Sequence, residues 1–224
     1  MSIVARDWRF HWALVVVVLC ALVDRAWMVH TTMNYASDDL TVVWLGATDY
    51  ARGIFHEPFF YGQDYGVMLE ALIAAPFVAL GCNPTPTVAI IFGVFALAPY
   101  LSIAVYHWHR KAWWPALLFA AMPLLLPVEH GLQITALNGL ALIALVPLAW
   151  CIRPLLWQTA GLILVLSLAV FINPNAALVA LPMVLHHGMQ HRGNYKTYLG
   201  AALGLVPVLL LWTGARAFFH AQTA

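Results

Sequence analysis

Residues 11–29 read HWALVVVVLCALVDRAWMV, a stretch long enough to form a transmembrane helix, which needs about 20 mostly apolar residues. The same character continues along all 224 residues. The chain is 63% hydrophobic and only 8% charged, whereas about 25% of the residues in a soluble protein are charged. We therefore predict an all-α integral membrane protein with a single transmembrane domain, residues 1–224. No small-x-small cleavage site follows Val23, so we interpret the first stretch as a retained signal anchor.

Six further apolar runs predict six further spans, about seven in all, at approximately 87–106, 112–128, 132–150, 155–172, 175–185 and 197–219. A shorter run, 67–80, is interrupted by Glu70 and Pro76. Its length favours a re-entrant or juxtamembrane helix over a crossing. The loop after the first span, about residues 31–86, is therefore predicted to lie wholly on one side of the membrane.

The distribution of Lys and Arg supports this arrangement. With seven spans, seven of the ten basic residues fall on the side of the N-terminus and three on the other side. If run 67–80 crossed the membrane, the ratio would become four to six. Basic residues are enriched in cytoplasmic loops. We therefore expect a cytoplasmic N-terminus and a C-terminus on the outer, periplasmic side.

The long outer loop also contains an amphipathic helical pattern. Apolar residues recur at i, i+3, i+4, i+7 and i+11, namely Leu40, Val43, Trp44, Ala47 and Ala51. Ser37, Asp38 or Asp39 can cap the start of this helix, and Gly53 can end it. The pattern predicts a helix lying flat in the outer membrane interface.

Composition excludes several classes of function. A net charge of +1 gives no reason to expect a nucleic-acid partner. The three cysteines are scattered and show neither a disulfide framework nor metal-ligand spacing. His186, His187 and His191 are close in sequence, but no Cys or acid accompanies them, so we predict no metal site there. Asp24 and Arg25 are predicted to form a local ion pair.

Acidic residues mark the outer loop as a candidate site. Asp38 and Asp39 precede the amphipathic pattern, and Glu70 follows the segment Tyr61-Gly62-Gln63-Asp64-Tyr65-Gly66. A carboxylate at the bilayer edge can act as a general base, although acids also favour helix N-termini for purely structural reasons. Glu70 needs a partner or a water-filled cavity. The Tyr-Gly-Gln segment is compatible with a binding pocket and with an ordinary turn carrying an aromatic interface anchor.

This layout resembles the GT-C superfamily of membrane glycosyltransferases, in particular bacterial relatives of the protein O-mannosyltransferases and the lipid A aminoarabinose transferases. The resemblance is carried by Ser37-Asp38-Asp39-Leu40, by Phe60-Tyr61-Gly62-Gln63 with Leu69-Glu70-Ala71, by His109-Arg110-Lys111 and by Ile172-Asn173-Pro174-Asn175. The chain departs from the family pattern at Glu129-His130-Gly131-Leu132-Gln133, where relatives have a Gly-Gly-Tyr-x-Glu-like segment.

The resemblance implies transfer of a sugar from a polyprenyl-phosphate donor at the outer face of the bacterial inner membrane. It makes Asp38 the expected base and gives Asp39 a supporting or metal-facing role. Residues expected to shape the sugar pocket are Tyr61, Gly62, Gln63 and Glu70. Residues expected to contact the donor phosphate are Arg52, His56, His130 and Arg216. Beyond a divalent cation near Asp39, no cofactor is implied.

A second interpretation is non-enzymatic. Family members continue past the seventh span, so this chain resembles their shared transmembrane module alone, and we consider a catalytically silent relative that serves as a structural subunit or scaffold. In the last span, Gly200 and Gly204 have the spacing that lets helices approach closely. We therefore expect a hetero-oligomeric membrane complex that uses this glycine face or the outer loop. The apolar residues expected to face lipid or another chain are Tyr198, Leu203, Leu205, Leu209, Leu210 and Trp212. A small transporter is disfavoured because we find no inverted repeat.

Overall fold

A computed structural model describes residues 3–32, 37–63, 65–125 and 138–223. All regular structure within these ranges is helical. Helices long and apolar enough to cross a membrane occupy Trp8–Thr31, Pro84–His109, Leu155–Ile172 and Tyr195–Ala221. The prediction of an all-α membrane protein is confirmed at this level. The described helices at the other predicted spans are shorter, so a count of seven crossings stays a prediction.

The first half of the chain forms two connected layers. Its helices are α1 (Ile3–Thr32), α2 (Asp38–Ala51), α3 (Leu69–Ala79), α4 (Pro84–His109) and α5 (Trp113–Leu125). Helices α1, α4 and α5 pack side by side, while α2 and α3 pack on each other and on α4. The predicted pair is present: Arg25 Nη2 lies 3.0 Å from Asp24 Oδ2 and donates to the Pro123 carbonyl at 3.1 Å, which joins α1 to α5.

The second half is built around one long helix. Its elements are α6 (Asn138–Ala141), a 3₁₀ segment (Leu142–Leu145), α7 (Val146–Cys151), α8 (Leu155–Ile172), a 3₁₀ turn (Pro174–Ala176), α9 (Ala177–Gln190) and α10 (Tyr195–Thr223). Helix α8 coincides with the predicted span 155–172. It packs against α9 and, most extensively, against α10. The first part of the predicted span 132–150, up to residue 137, lies outside the residues that the structure describes. Its remaining part is divided by the 3₁₀ segment.

Helix α3 is too short to cross a bilayer. Its 11 residues correspond to about 16 Å, roughly half of a hydrocarbon core of about 30 Å. The chain turns directly after it at Gly81, which has a φ of 94°. This length is the one expected for run 67–80 if it dips into the membrane without crossing.

Both predicted ends of α2 are confirmed. The Ser37 side chain accepts a hydrogen bond from the Leu40 N–H at 3.3 Å, which caps the first turn. At the other end Gly53 has a φ of 74°, a conformation that glycine adopts without a steric cost. The Ile54 N–H bonds to the Asp49 carbonyl at 2.9 Å and the Gly53 N–H to the Tyr50 carbonyl at 3.1 Å, which together form a Schellman motif.

The apolar stripe of α2 packs inside the protein, against α3 and α4. The position of this helix in the outer membrane interface stays a prediction. Leu40, Val43 and Ala47 are buried in one core cluster with residues of α3 and α4, including Met68, Ala71, Ala74 and Val88. Small residues on α3 explain this arrangement, since they allow α2 to approach closely. Helix α2 therefore rests on its own chain.

The glycine face of α10 packs against α8. A Cβ atom on Gly200 would lie 2.9 Å from the Cβ of Thr159, and one on Gly204 would lie 3.0 Å from the Cβ of Ile163. Because successive turns of α10 meet successive turns of α8 in the same order, the two helices run parallel. The expectation that Gly200 and Gly204 face another chain is wrong. The opposite face is exposed as predicted, at Tyr198, Leu203, Leu205, Leu209, Leu210 and Trp212.

Candidate functional site

A pocket of about 270 Å³ lies where the start of α2, the segment 60–67 and the turn after α8 meet. Its lining includes one carboxylate, Asp39, and three side-chain amides, those of Gln63, Asn173 and Asn175. Two backbone hydrogen bonds fix its walls. The Val67 N–H donates to the Ile172 carbonyl at 2.9 Å, and the Phe60 N–H donates to the Gly66 carbonyl at 2.6 Å. We call this cavity the polar pocket.

The turn after α8 supplies one wall of the polar pocket. The Asn173 side chain accepts a hydrogen bond from the Asn175 N–H at 2.9 Å, and Pro174 opens the following 3₁₀ turn. Sequence analysis identified this turn through the family resemblance but did not assign Asn173 and Asn175 to a site. The sequence feature that could have identified them is the presence of two side-chain amides in a short loop between two apolar runs.

The structure distinguishes the two adjacent acids. Asp38 and Asp39 are both exposed in the first turn of α2, where the helix dipole favours a negative charge. The residue that lines the polar pocket is Asp39, whereas the sequence analysis expected Asp38 in the leading position. Ser37 already provides the side-chain hydrogen bond that caps the helix. The Asp39 carboxylate is thus not needed as the hydrogen-bonding cap.

A second polar cluster surrounds Asp49 at the other end of α2. The Tyr61 hydroxyl donates to Asp49 Oδ2 at 3.2 Å, and His56 Nε2 lies 3.6 Å from the same oxygen. Asp49 is 8% exposed. The Gly62 N–H donates to Glu57 Oε1 at 3.0 Å. Asp49 was not predicted as a site residue, because an acid near the end of an amphipathic helix is typical of its solvent-exposed face.

Two tyrosines beside Asp49 are held in their neutral form. Burial, followed by the charges of Glu57, Glu70 and Asp49, raises the pKa of Tyr50 to about 12. Burial, followed by the neighbouring Tyr50 and Asp49, also raises the pKa of Tyr61 above its ordinary value. Both phenols are therefore hydrogen-bond donors at neutral pH.

Five of the predicted site residues lie at one or the other of these two places. Asp39 and Gln63 meet at the polar pocket, while Tyr61, Gly62 and His56 lie with the Asp49 cluster. Ten residues of helix separate Asp39 from Asp49, which corresponds to about 15 Å. Arg52 is exposed at the C-terminal end of α2. The prediction for His130 lies outside the described residues.

Glu70 occupies a third environment. Its side chain is fully buried in the first turn of α3, next to the core residue Ala71. Its charge contributes, after burial and Glu57, to the raised pKa of Tyr50. Glu70 does not line the polar pocket. Its location favours the structural alternative considered for this carboxylate, since it sits where α2 and α3 pack together.

An apolar groove of about 680 Å³ adjoins the polar pocket. It runs between α8, α9 and α10, and residues along its length include Leu166, Val170, Leu181, Val184, Leu205, Val208 and Leu209. Tyr65 and Pro174 line both the groove and the polar pocket. The polar pocket and the apolar groove therefore lie next to each other, with Tyr65 and Pro174 between them.

Among the residues that the structure describes, the chemistry available at the polar pocket is that of the Asp39 carboxylate beside amide groups. Within the described ranges, no group of three or more His, Cys, Asp and Glu side chains is placed to hold a metal ion. No protein-family model matches this chain, and neither a curated protein nor a solved structure matches it.

Proposed function

We propose that this chain is a GT-C-like membrane protein that transfers a sugar from a polyprenyl-phosphate donor at the outer face of the bacterial inner membrane. The observation that carries the proposal is the junction of the polar pocket with the apolar groove. A lipid-linked sugar has a polar head and a long apolar tail. The pocket has the chemistry to bind the head and the groove has the chemistry to bind the tail.

Within this proposal, Asp39 is the general base. It takes the proton from the acceptor hydroxyl as that oxygen bonds to the anomeric carbon. The bond from this carbon to the donor phosphate breaks, and the lipid phosphate leaves with the electron pair. Gln63, Asn173 and Asn175 hold sugar hydroxyls by amide hydrogen bonds. General base catalysis contributes roughly 10²–10⁴ to a rate.

The proposed topology has seven crossings, with the N-terminus in the cytoplasm. Ring contacts of 4.4 Å between His11 and Trp108 and of 4.9 Å between Tyr106 and Trp150 align the start of α1, the end of α4 and the end of α7 at one end of the molecule. The exposed cations Arg9, Arg110 and Lys111 lie at or beside this end. The polar pocket lies at the opposite end of α8. This separation supports an outer-face site under the positive-inside rule.

The second candidate function is a structural subunit of a membrane complex. It is favoured by the outward face of α10, where Tyr198 is 65% and Leu210 is 67% exposed. In a bilayer these side chains contact lipid or a neighbouring chain. The structural role requires a partner on this face and no turnover at the polar pocket.

Transfer from a radiolabelled short-chain polyprenyl-phosphate sugar to a hydroxyl acceptor, measured with purified protein, distinguishes the two functions. Asp39→Asn should lower the rate by about 10²–10⁴, because the amide keeps the size but cannot accept the proton. Asp38→Asn is the matched control and should stay within a fewfold of wild type. Equal loss in both variants would contradict the assignment of Asp39 as the base. A wild-type protein that transfers no sugar and copurifies with a stoichiometric partner would favour the structural role.

A further inference from the structure

The end of α8 that lies away from the polar pocket carries a cluster of exposed cations. Arg153 lies just before Pro154, the N-cap of α8. Arg192 lies in the turn between α9 and α10, and Lys196 lies in the first turn of α10. All three are exposed. We call these three residues the basic edge. They belong to the part of the molecule formed by α8, α9 and α10, which we call the α8–α10 unit. The proposed transfer reaction uses none of them.

Helix contacts bring these residues to the same level. Thr159 Oγ1 and His187 Nε2 are hydrogen-bonded at 2.8 Å, so the end of α9 lies beside the first turns of α8. Gly200 packs against Thr159 in the parallel pairing of α10 with α8, which places Lys196 one turn earlier, at the start of α8. The Thr197 hydroxyl donates to the His191 carbonyl at 3.4 Å and fixes the turn that carries Arg192.

Among the residues that the structure describes, no acidic side chain neutralises the positive charge of the basic edge. All nine acids of the chain occur at or before Glu129. The acidic side chains that the structure describes are Asp24, which pairs with Arg25, and five in or between α2 and α3. The positive ends of α8 and α10 add to the basic charge, and the N-cap of α8, Pro154, supplies no side-chain hydrogen bond to the first turn.

The aromatic residues around the basic edge place it at headgroup depth. Trp157 is 58%, Tyr195 is 69% and Tyr198 is 65% exposed. Exposed Trp and Tyr side chains of membrane proteins concentrate at the boundary between headgroups and acyl chains. Cations at this depth are within reach of phosphodiester oxygens, which accept hydrogen bonds from Arg and Lys.

We propose that the basic edge binds the phosphate headgroup of an anionic phospholipid in the leaflet that it faces. Arg153, Arg192 and Lys196 supply the positive charge, and the uncapped first turn of α8 directs its N–H groups at the phosphate. The site is independent of the proposed transfer reaction and takes a different ligand at the opposite end of the molecule.

Native mass spectrometry in a mild detergent tests this site with phosphatidylglycerol and phosphatidylcholine of identical acyl chains. The wild-type protein should bind phosphatidylglycerol at least about tenfold more tightly. Each neutralised cation should weaken that binding by about fivefold, since each basic residue at an anionic surface contributes on this order. The triple variant R153Q/R192Q/K196Q should therefore lose the preference. A preference of the wild-type protein that does not fall with added salt would overturn the proposal.

The matched control is R9Q/R110Q/K111Q, which removes three exposed cations from α1 and the α4–α5 connection. It should keep the lipid preference. If both triple variants lose it equally, total charge is responsible and the assigned site is wrong. Competition by inorganic phosphate at millimolar concentration separates the two phosphate sources. Displacement of the lipid by free phosphate alone would assign the edge to a soluble anion and contradict the lipid site.

Discussion

The α2–α3 region and the α8–α10 unit both contain closely packed small residues, and they differ in the polar contacts that accompany this packing. The first contains the Asp49–Tyr61 hydrogen bond, the bond from the Gly62 N–H to Glu57 and a helix capped by Ser37. The second brings the backbones of two long helices together at Gly200 and Gly204. A side-chain hydrogen bond also joins two of its helices, between Thr159 and His187.

Within the proposed topology, the difference follows from the surroundings of each region. In hydrocarbon, lipid tails are as apolar as leucine, so helices gain little by burying apolar side chains and associate through close packing of small residues. At the membrane edge, water and headgroups are present, and polar side chains determine the conformation of a connecting segment. Added volume should therefore be most costly where the helix backbones meet at Gly200 and Gly204, and loss of a single hydrogen bond should cost less in either region.

The strongest test of this contrast adds volume to α10. Gly204→Leu would drive a side chain into the backbone of α8, where even a Cβ atom would contact Ala160 and Leu164. The expected cost is at least about 3 kcal/mol, the upper range for overpacking. Gly214→Leu on the same helix is the control, since no atom lies within 4 Å of a Cβ there. Thermal unfolding in detergent should show a large loss for the first variant only.

The next test removes the buried hydrogen bond of the α8–α10 unit. Thr159→Val keeps the shape but leaves the His187 ring nitrogen without the hydroxyl that it bonds at 2.8 Å. Loss of one partner of a buried hydrogen bond costs about 1–3 kcal/mol. Thr213→Val is the control, because its exposed hydroxyl bonds only the Leu210 carbonyl of its own helix. Equal unfolding free energies for the two variants would show that the Thr159 bond is dispensable.

A smaller effect is expected at the start of α2. Ser37→Ala removes the acceptor for the Leu40 N–H and should cost about 1 kcal/mol. Ser37→Asp should restore most of this stability, because aspartate also caps helices well. Hydrogen exchange of the first-turn amides is the direct measurement. Protection that is unchanged in Ser37→Ala would indicate that packing on α3 alone holds this end of α2.

A further expected effect is a pH dependence in the α2–α3 region, which is confined to high pH. The pKa of Tyr50 is raised from 10.0 to about 12, so the folded state holds this proton more tightly than the unfolded state. The resulting stabilisation is fully present below pH 10 and is lost as the pH rises to about 12. Tyr50→Phe should flatten this part of the curve of unfolding free energy against pH. Tyr198→Phe, at an exposed position on α10, should leave the curve unchanged.

Local patterns predicted the positions of helices well, because length, apolar periodicity and capping residues are read from neighbouring residues. Helix α8 and both ends of α2 illustrate this. The partner of each apolar face could not be predicted, since it depends on the whole arrangement. The apolar stripe of α2 packs against α3 and α4, whereas the sequence suggested the membrane interface as its surroundings. Gly200 packs against α8, whereas we expected it to contact another chain.

The sequence also predicted only some of the residues of the candidate site. Asp39 and Gln63 were chosen from motifs, and the structure places both at the polar pocket. Asn173 and Asn175 come from a turn more than 100 residues later, and only the fold brings them to Asp39. Asp49 was not predicted because its hydrogen-bond partner, the Tyr61 hydroxyl, belongs to the segment that follows α2.

The parallel pairing of α8 with α10 has a consequence for synthesis of the protein. Gly200 follows its contact Leu156 by 44 residues, with the whole of α9 between them. Ribosomes add about 5–20 residues per second, so Leu156 is synthesised roughly 2–9 s before Gly200. During that interval the face of α8 that later receives the glycines stays open to whatever surrounds the growing chain. The insertion machinery therefore has to hold α8 through the synthesis of a whole intervening helix before the pair can close.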